Sequence, residues 1–377
     1  MTMQYVKDNK QLKDSDKQWN TLKRRGFLLG QVKQLQRPAM PSPAETIARW
    51  RKHQAIMLPD LLNTQDWQTE IAQSHRLMCD VLESVELSPH LDQAPYVERL
   101  TDQFPLLASS MEEHDEQGIE KVYFDAVGEH QQPDDEAVAE DLWCKASWLS
   151  FLDDDASLRF RFSFGMEALE DVAADPLRQF WAGKLCDAIF PESAVLTQNH
   201  QLLQLLKELL GGDPAFVERI VYFNAPGGGA QMHHDVERGH DGVVFGQLSG
   251  STFWLALSKP ELMDELVEFC ANPAHQTEIV ALLPDHKAQT ALQTLLQDRS
   301  ALSAYMEDND HELIEAIMDR SPAFVEYLCG LGFAHILHAG DVLLMPQADL
   351  ENCVWHSVCC LGDGPGEAVS FAIRKDV

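Results

Sequence analysis

Basic residues are scarce in this chain: 29 Lys and Arg stand against 60 Asp and Glu, for a formal net charge of −31. A body this acidic repels phosphate backbones, which excludes nucleic acid as a partner and leaves room for a cationic substrate or partner. The deficit is uneven. The first 53 residues carry 12 Lys/Arg and 4 Asp/Glu, leaving 17 and 56 for the rest. That basic leader fits a flexible arm, a partner-binding segment or a flank folded onto the acidic body. None of the eight cysteines forms a CxxC pair, which excludes a zinc ribbon, and their scatter argues against a disulfide framework. The adjacent Cys359 and Cys360 read as strand residues on opposite faces. No uninterrupted apolar run reaches the roughly 18 residues of a membrane span. The opening MTMQYVKDNKQLKDSDKQWN lacks the apolar stretch of a secretory signal, so a cytoplasmic location is expected. No internal repeat is evident.

What is present is enough for a large core: 377 residues, 45% of them hydrophobic. Residues 1–43 read as a basic arm closed by the turn-like RPAMPSP. Residues 44–140 read as mainly helical, with Trp67, Ile71, Met78, Val81 and Val85 near one stripe. Within them, the acid-dense 110–140 reads as exposed loop or short helix. From about 142 the pattern becomes β: KASWLSFL and RFRFSFG flank the turn DDDAS, and RIVYFNA runs into PGGGAQ. LRQFWAGKLCDAIF and NHQLLQLLKELLGG read as helices, the second stopped by Gly211-Gly212. GVVFGQL and STFWLALS are joined by Ser249-Gly250 as a hairpin. Residues 260–334 return to helical spacing. HILHAGDVLLMP, CVWHSVCC and AVSFAIR are strands again. One barrel, 141–259 and 335–377, is therefore interrupted by a helical insert that suits a lid or a homodimer surface.

His233 and Asp235 form an H-x-D triplet after a strand and a Gly-rich turn. In extended backbone, residues two apart project to the same side, so both reach one metal while His234 points away. His356 on a late strand supplies a third ligand. Two imidazoles and a carboxylate make the facial triad of non-haem Fe(II) oxygenases, with positions left open for O₂ and a co-substrate. His338, His335 and His240 are rival ligands, His338 foremost.

The segment VYFNAPGGGAQMHHDVERGHDGVVFGQLSGSTFWLALSKPE resembles the cupin-like branch of JmjC-type 2-oxoglutarate oxygenases, and HAGDVLLMPQADLENCVWHSV resembles the second half of that pattern. The likeness covers 219–259 and 335–377. It implies an α+β fold: a double-stranded β-helix (cupin or jelly-roll) barrel with N-terminal helices. It also implies Fe(II), 2-oxoglutarate and O₂ at His233, Asp235 and His356. Two departures stand out. The Lys or Arg that such enzymes commonly place after the hairpin Gly is replaced by Ser251-Thr252, and the Pro346-to-His356 spacing is long.

Arg374 offers a substitute for the missing cation. Other 2-oxoglutarate oxygenases use an Arg downstream of the distal His, and alternation puts Ser370, Ala372 and Arg374 on one face. Lys259 is the runner-up. By the same parity Tyr222 and Asn224 share a face and serve as donors to 2-oxoglutarate, Thr252 adds a hydroxyl, and Trp254 walls the pocket. Gln247 fits a supporting place behind them. With Asp235 present, hydroxylation, desaturation or cyclisation is favoured over halogenation. The substrate is expected to be a protein or peptide side chain or an amino-acid-like small molecule, with a cationic one favoured by the acidic body. The alternatives are a cupin-type Fe(II) oxygenase that does not use 2-oxoglutarate, and a non-catalytic cupin-type binding protein.

Overall fold

Burial on both faces of the strands Gly242–Gln247, Ser251–Ser258, Val342–Pro346 and Val354–Cys360 sets the architecture. The computed structural model describes residues 21–104, 109–112, 118–128, 137–149, 157–166, 174–237, 239–308 and 311–376. The strands are β1 (Ile56–Leu58), β2 (Ser109–Glu112), β3 (Gly118–Ala126), β4 (Ala139–Leu149), β5 (Ser157–Phe164), β6 (Pro214–Asn224), β7 (Gly229–His233), β8 (Gly242–Gln247), β9 (Ser251–Ser258), β10 (Ala334–His338), β11 (Val342–Pro346), β12 (Val354–Cys360) and β13 (Gly366–Lys375). Among the described residues they form two antiparallel sheets. The larger runs β1-β11-β8-β13-β6-β5-β4-β3-β2, the smaller β10-β9-β12-β7. The arrangement is mixed α+β and jelly-roll-like.

Three apolar clusters show how the layers stack. Val243 and Phe245 of β8, Trp254 and Ala256 of β9, Leu343 and Met345 of β11, and Val354 and Val358 of β12 pack together between the two sheets. Their neighbours in sequence point the other way. Val244, Leu344, Val369 and Phe371 meet the helix Gln68–Ser84 and the helix Pro176–Ile189. Phe253, Leu255, Leu257 and Trp355 meet the helices of the insert and Leu28 of the helix Thr21–Val32. This two-sided burial explains why the strands read as nearly continuous apolar runs.

Local signals place the boundaries. Ser258 and Glu261 form a reciprocal capping box at the start of the helix Lys259–Ala271, with Pro260 in its first turn, so β9 passes directly into the insert. Gly250, at φ +72°, turns the chain from β8 in the larger sheet to β9 in the smaller one, so the two strands that the sequence joined as a hairpin do not pair with each other.

Three further sequence expectations change. Within the acid-dense stretch, 109–112 and 118–126 are strands rather than loop or helix, because Val122, Phe124 and Ala126 alternate into the core. Val85 is the left-handed cap of its helix and is exposed, so the helix ends before the stripe does. The part of the basic leader that the structure describes folds onto the acidic body. Arg25 donates to the carbonyls of Leu361 and Gly362, and Arg37 makes a bidentate pair with buried Asp341 at 2.6 and 2.8 Å. Residues 1–20 and most of the turn DDDAS lie outside the described residues. No helix of the described residues is long and apolar enough to cross a membrane.

Candidate metal centre

The smaller sheet creates the site through one close approach. His356 on β12 is the register partner of His233 on β7, and the register shifts between His356 and Val358. Gly229 makes this pairing possible. A Cβ there would lie 2.1 Å from the carbonyl oxygen of Val358, at a φ of +147° that disfavours any side chain. The two imidazoles then sit on the inner face with ring centroids 4.3 Å apart. Asp235, two residues past His233, turns its carboxylate between them. Its Oδ1 is 3.5 Å from His233 Nε2 and its Oδ2 is 3.4 Å from His356 Nε2. All three residues offer ligand atoms within 4.8 Å of one another. His233 Nδ1 lies 2.7 Å from the carbonyl of Gln231, which fixes the ring and leaves Nε2 as its metal-facing atom.

The electrostatics suit a cation. Burial alone would raise the Asp235 carboxyl, but the neighbouring imidazoles of His356 and His233 reverse this and hold it well below the usual carboxylate range. Burial, with His233 beside it, pushes His356 down to about 3, so its imidazole is neutral. For His233 burial works downward, but the Asp235 carboxylate outweighs it and the net shift is upward. One ionised carboxylate and one neutral imidazole are already in ligand form. Two nitrogens and one oxygen are the donor set that suits Fe(II).

The triad forms part of the wall of a cavity of about 230 Å³. Phe245, Trp254, Met345 and Val358 supply its apolar surface, and Tyr222, Asn224, Ser370 and Arg159 its polar one. Tyr222 and Asn224 therefore stand where parity placed them. The Oδ1 of Asn224 is buried and has no hydrogen-bond partner among the described residues. Burial raises the Tyr222 phenol, which stays a donor.

Thr252 is not among the lining residues. Fully buried, it donates to Gln247 Oε1 at 2.7 Å and accepts from Trp254 Nε1 at 2.8 Å. Its role is to hold Trp254, whose ring stacks on His356 at 5.4 Å. Arg374 does not line the cavity either. It pairs with Ala215 at the far end of β13 and borders a separate depression with Pro176, Phe216 and Asp376. It lies four residues beyond Ser370, roughly 13 Å along the strand, beside residues of the helix Pro176–Ile189. Among the described lining residues the cation is Arg159, on β5 beside Tyr222, with its Nε donating to Ser147 Oγ at 2.9 Å. RFRFSF carried the signal: Leu158, Phe160 and Phe162 pack outward, which turns Arg159 and Arg161 inward.

The rival ligands lie elsewhere. His338 is exposed, and half-buried His335 pairs with Trp254 across β10 and β9. His240 belongs to a different cluster with Glu218 and Glu237. His234 points to the insert, 2.9 Å from Glu307, which also takes Lys259 at 2.7 Å.

Comparisons with known proteins add little. No protein-family model matches the chain, and no curated protein matches it. Among solved structures it is similar to YcfD, a ribosomal oxygenase from Escherichia coli, at 13% identity and a TM-score of 0.22. That match covers 76% of this chain and 44% of the other, so the chain spans under half the length of that protein. A likeness at this TM-score carries no argument about fold or chemistry.

Proposed function

We propose that the chain is a non-haem Fe(II) oxygenase that uses 2-oxoglutarate, built on a double-stranded β-helix. The observation that carries this reading is the meeting of His233, Asp235 and His356 on the wall of a cavity that also holds an arginine. Those three residues would hold the iron. Bound there, Fe(II) supplies the coupling of 2-oxoglutarate decarboxylation and O₂ reduction to C–H hydroxylation, giving succinate, CO₂ and the hydroxylated product. The chain's own residues do the rest. The planar fork of Arg159 pairs with the distal carboxylate of 2-oxoglutarate, the place the sequence assigned to Arg374. Tyr222 and Asn224 donate to the same molecule. Trp254, Phe245 and Met345 keep water from the reacting carbon.

On this reading the protein acts in the cytoplasm on a peptide or protein side chain or an amino-acid-like small molecule. The excess of acids favours a cationic substrate, and the 260–334 insert serves as a lid or a dimer surface. Activity on such a substrate falls as ionic strength rises.

The test is turnover. Folded protein loaded with Fe(II) and given 2-oxoglutarate and O₂ is expected to form succinate in step with O₂ uptake, and His233→Ala is expected to abolish it. Iron-loaded, folded protein that forms no succinate overturns the reading. A second reading, an oxygenase at the same centre that does not use 2-oxoglutarate, is favoured by Ser251-Thr252 after Gly250. O₂ uptake on the true substrate without succinate would select it.

A further inference from the structure

A second group of metal-ligating side chains lies apart from the triad. Glu218 on β6, with Glu237 and His240 on the segment leading to β8, offer ligand atoms within 4.8 Å of one another. Acidic clusters are common, and this one would mean nothing without His240. His240 is only 5% exposed, and among the described residues neither Nδ1 nor Nε2 has a hydrogen-bond partner. An imidazole buried with both nitrogens unsatisfied has lost its water and gained nothing in return.

Arg161 donates through Nε to Glu218 and approaches Glu237 only at 3.7 Å. Among the described residues, one guanidinium faces two carboxylates. Glu237 is about half exposed, with 52% of its side chain open to solvent, so it is free to close around an ion held by the two buried residues.

We infer that Glu218, Glu237 and His240 form a second cation site, which takes a divalent ion of the Zn²⁺ class and is distinct from the triad. One imidazole and two carboxylates are ligands such an ion accepts, and a ring nitrogen bound to it is no longer unsatisfied. Nothing in this inference depends on the oxygenase reading. A protein that formed no succinate could still hold this ion.

Metal-stripped full-length protein titrated with Zn²⁺ alone, by calorimetry and equilibrium dialysis, tests the site. Wild type is expected to bind two equivalents. His233→Ala, which disables the triad, is expected to keep one. Adding His240→Gln to that background is expected to weaken the remaining ion at least tenfold. Glu237→Gln, at an exposed position where the fold is safe, is expected to do the same and decides the matter if the His240 variant fails to fold. A crystal soaked in Zn²⁺ should show anomalous density among the three side chains. The inference is overturned if His233→Ala retains no ion. It is equally overturned if His240→Gln and Glu237→Gln leave affinity and stoichiometry unchanged, the cluster then being an ion-pair network only.

Discussion

Asp319 Oδ1 accepts the backbone N–H of Met232 at 2.7 Å, so a carboxylate at the end of an insert helix holds the residue before the first proposed metal ligand. β7 is the edge of its sheet, and edge amides need a partner. Asp319→Ala leaves that buried N–H unpaired, at a cost of about 1–3 kcal/mol. It also frees the strand that carries His233, so Fe(II) affinity should fall by about tenfold or more. Urea unfolding and dialysis against Fe(II) measure the two effects. Full iron affinity in a destabilised Asp319→Ala would show that the contact supports only the fold.

Arg159 and Arg374 have opposite expected phenotypes. Arg159→Gln removes the cation from the cavity and should raise the KM for 2-oxoglutarate about tenfold to a hundredfold, the worth of a charge-assisted pair. Arg374→Gln, in a separate depression, should leave KM within about twofold. Steady-state succinate kinetics on both variants check this, and the reverse pattern would return the role to Arg374.

Thr252→Val keeps the shape of the side chain and deletes two hydrogen bonds. Gln247 Oε1 and Trp254 Nε1 are then left unpaired in the core. Destabilisation of about 2–5 kcal/mol is expected. Because Trp254 stacks on His356, its fluorescence should also respond differently to bound metal. Chemical denaturation followed by Trp emission reads both.

Buried carboxyls, among them Glu192, Glu367 and Asp319, set a pH dependence of stability. Burial raises Glu192 and lifts Glu367 well above its usual value, and the two side chains face each other so that only a proton between them makes the contact a hydrogen bond. Burial likewise pushes Asp319 up to about 7. In each case the folded value exceeds the unfolded one. The stabilisation is therefore complete below about pH 4 and is lost as pH rises, for Asp319 by about pH 7, at about 1.4 kcal/mol per pH unit of separation. The denaturation midpoint should fall between about pH 6.5 and pH 8, above the range in which the depressed imidazoles of His335 and His356 act in the opposite sense, and Glu367→Gln should flatten part of that slope. A midpoint that rises over this window in the wild type would contradict the assignment.

The sequence by itself determined much of this protein. Strand parity is local: a period of two decides which of His233, His234 and Asp235 share a side, and it turned Tyr222 and Asn224 inward without reference to anything distant. The capping box at Ser258 and the glycines at 211 and 250 marked boundaries for the same reason. Misreadings arose where local composition hid a short alternation, as at Val122 and Phe124 among acids. Tertiary structure alone decided which arginine shares the cavity with the triad. Both Arg159 and Arg374 lie on strands of the larger sheet, and only the register of β5, β6 and β13 brings one beside Tyr222 and carries the other to the far end of its strand, beside the helix Pro176–Ile189. It also decided that Thr252 supports Trp254 instead of touching the cavity, and that His240 is buried beside Glu218. These outcomes depend on contacts between segments far apart in the chain, and no window of sequence contains both partners.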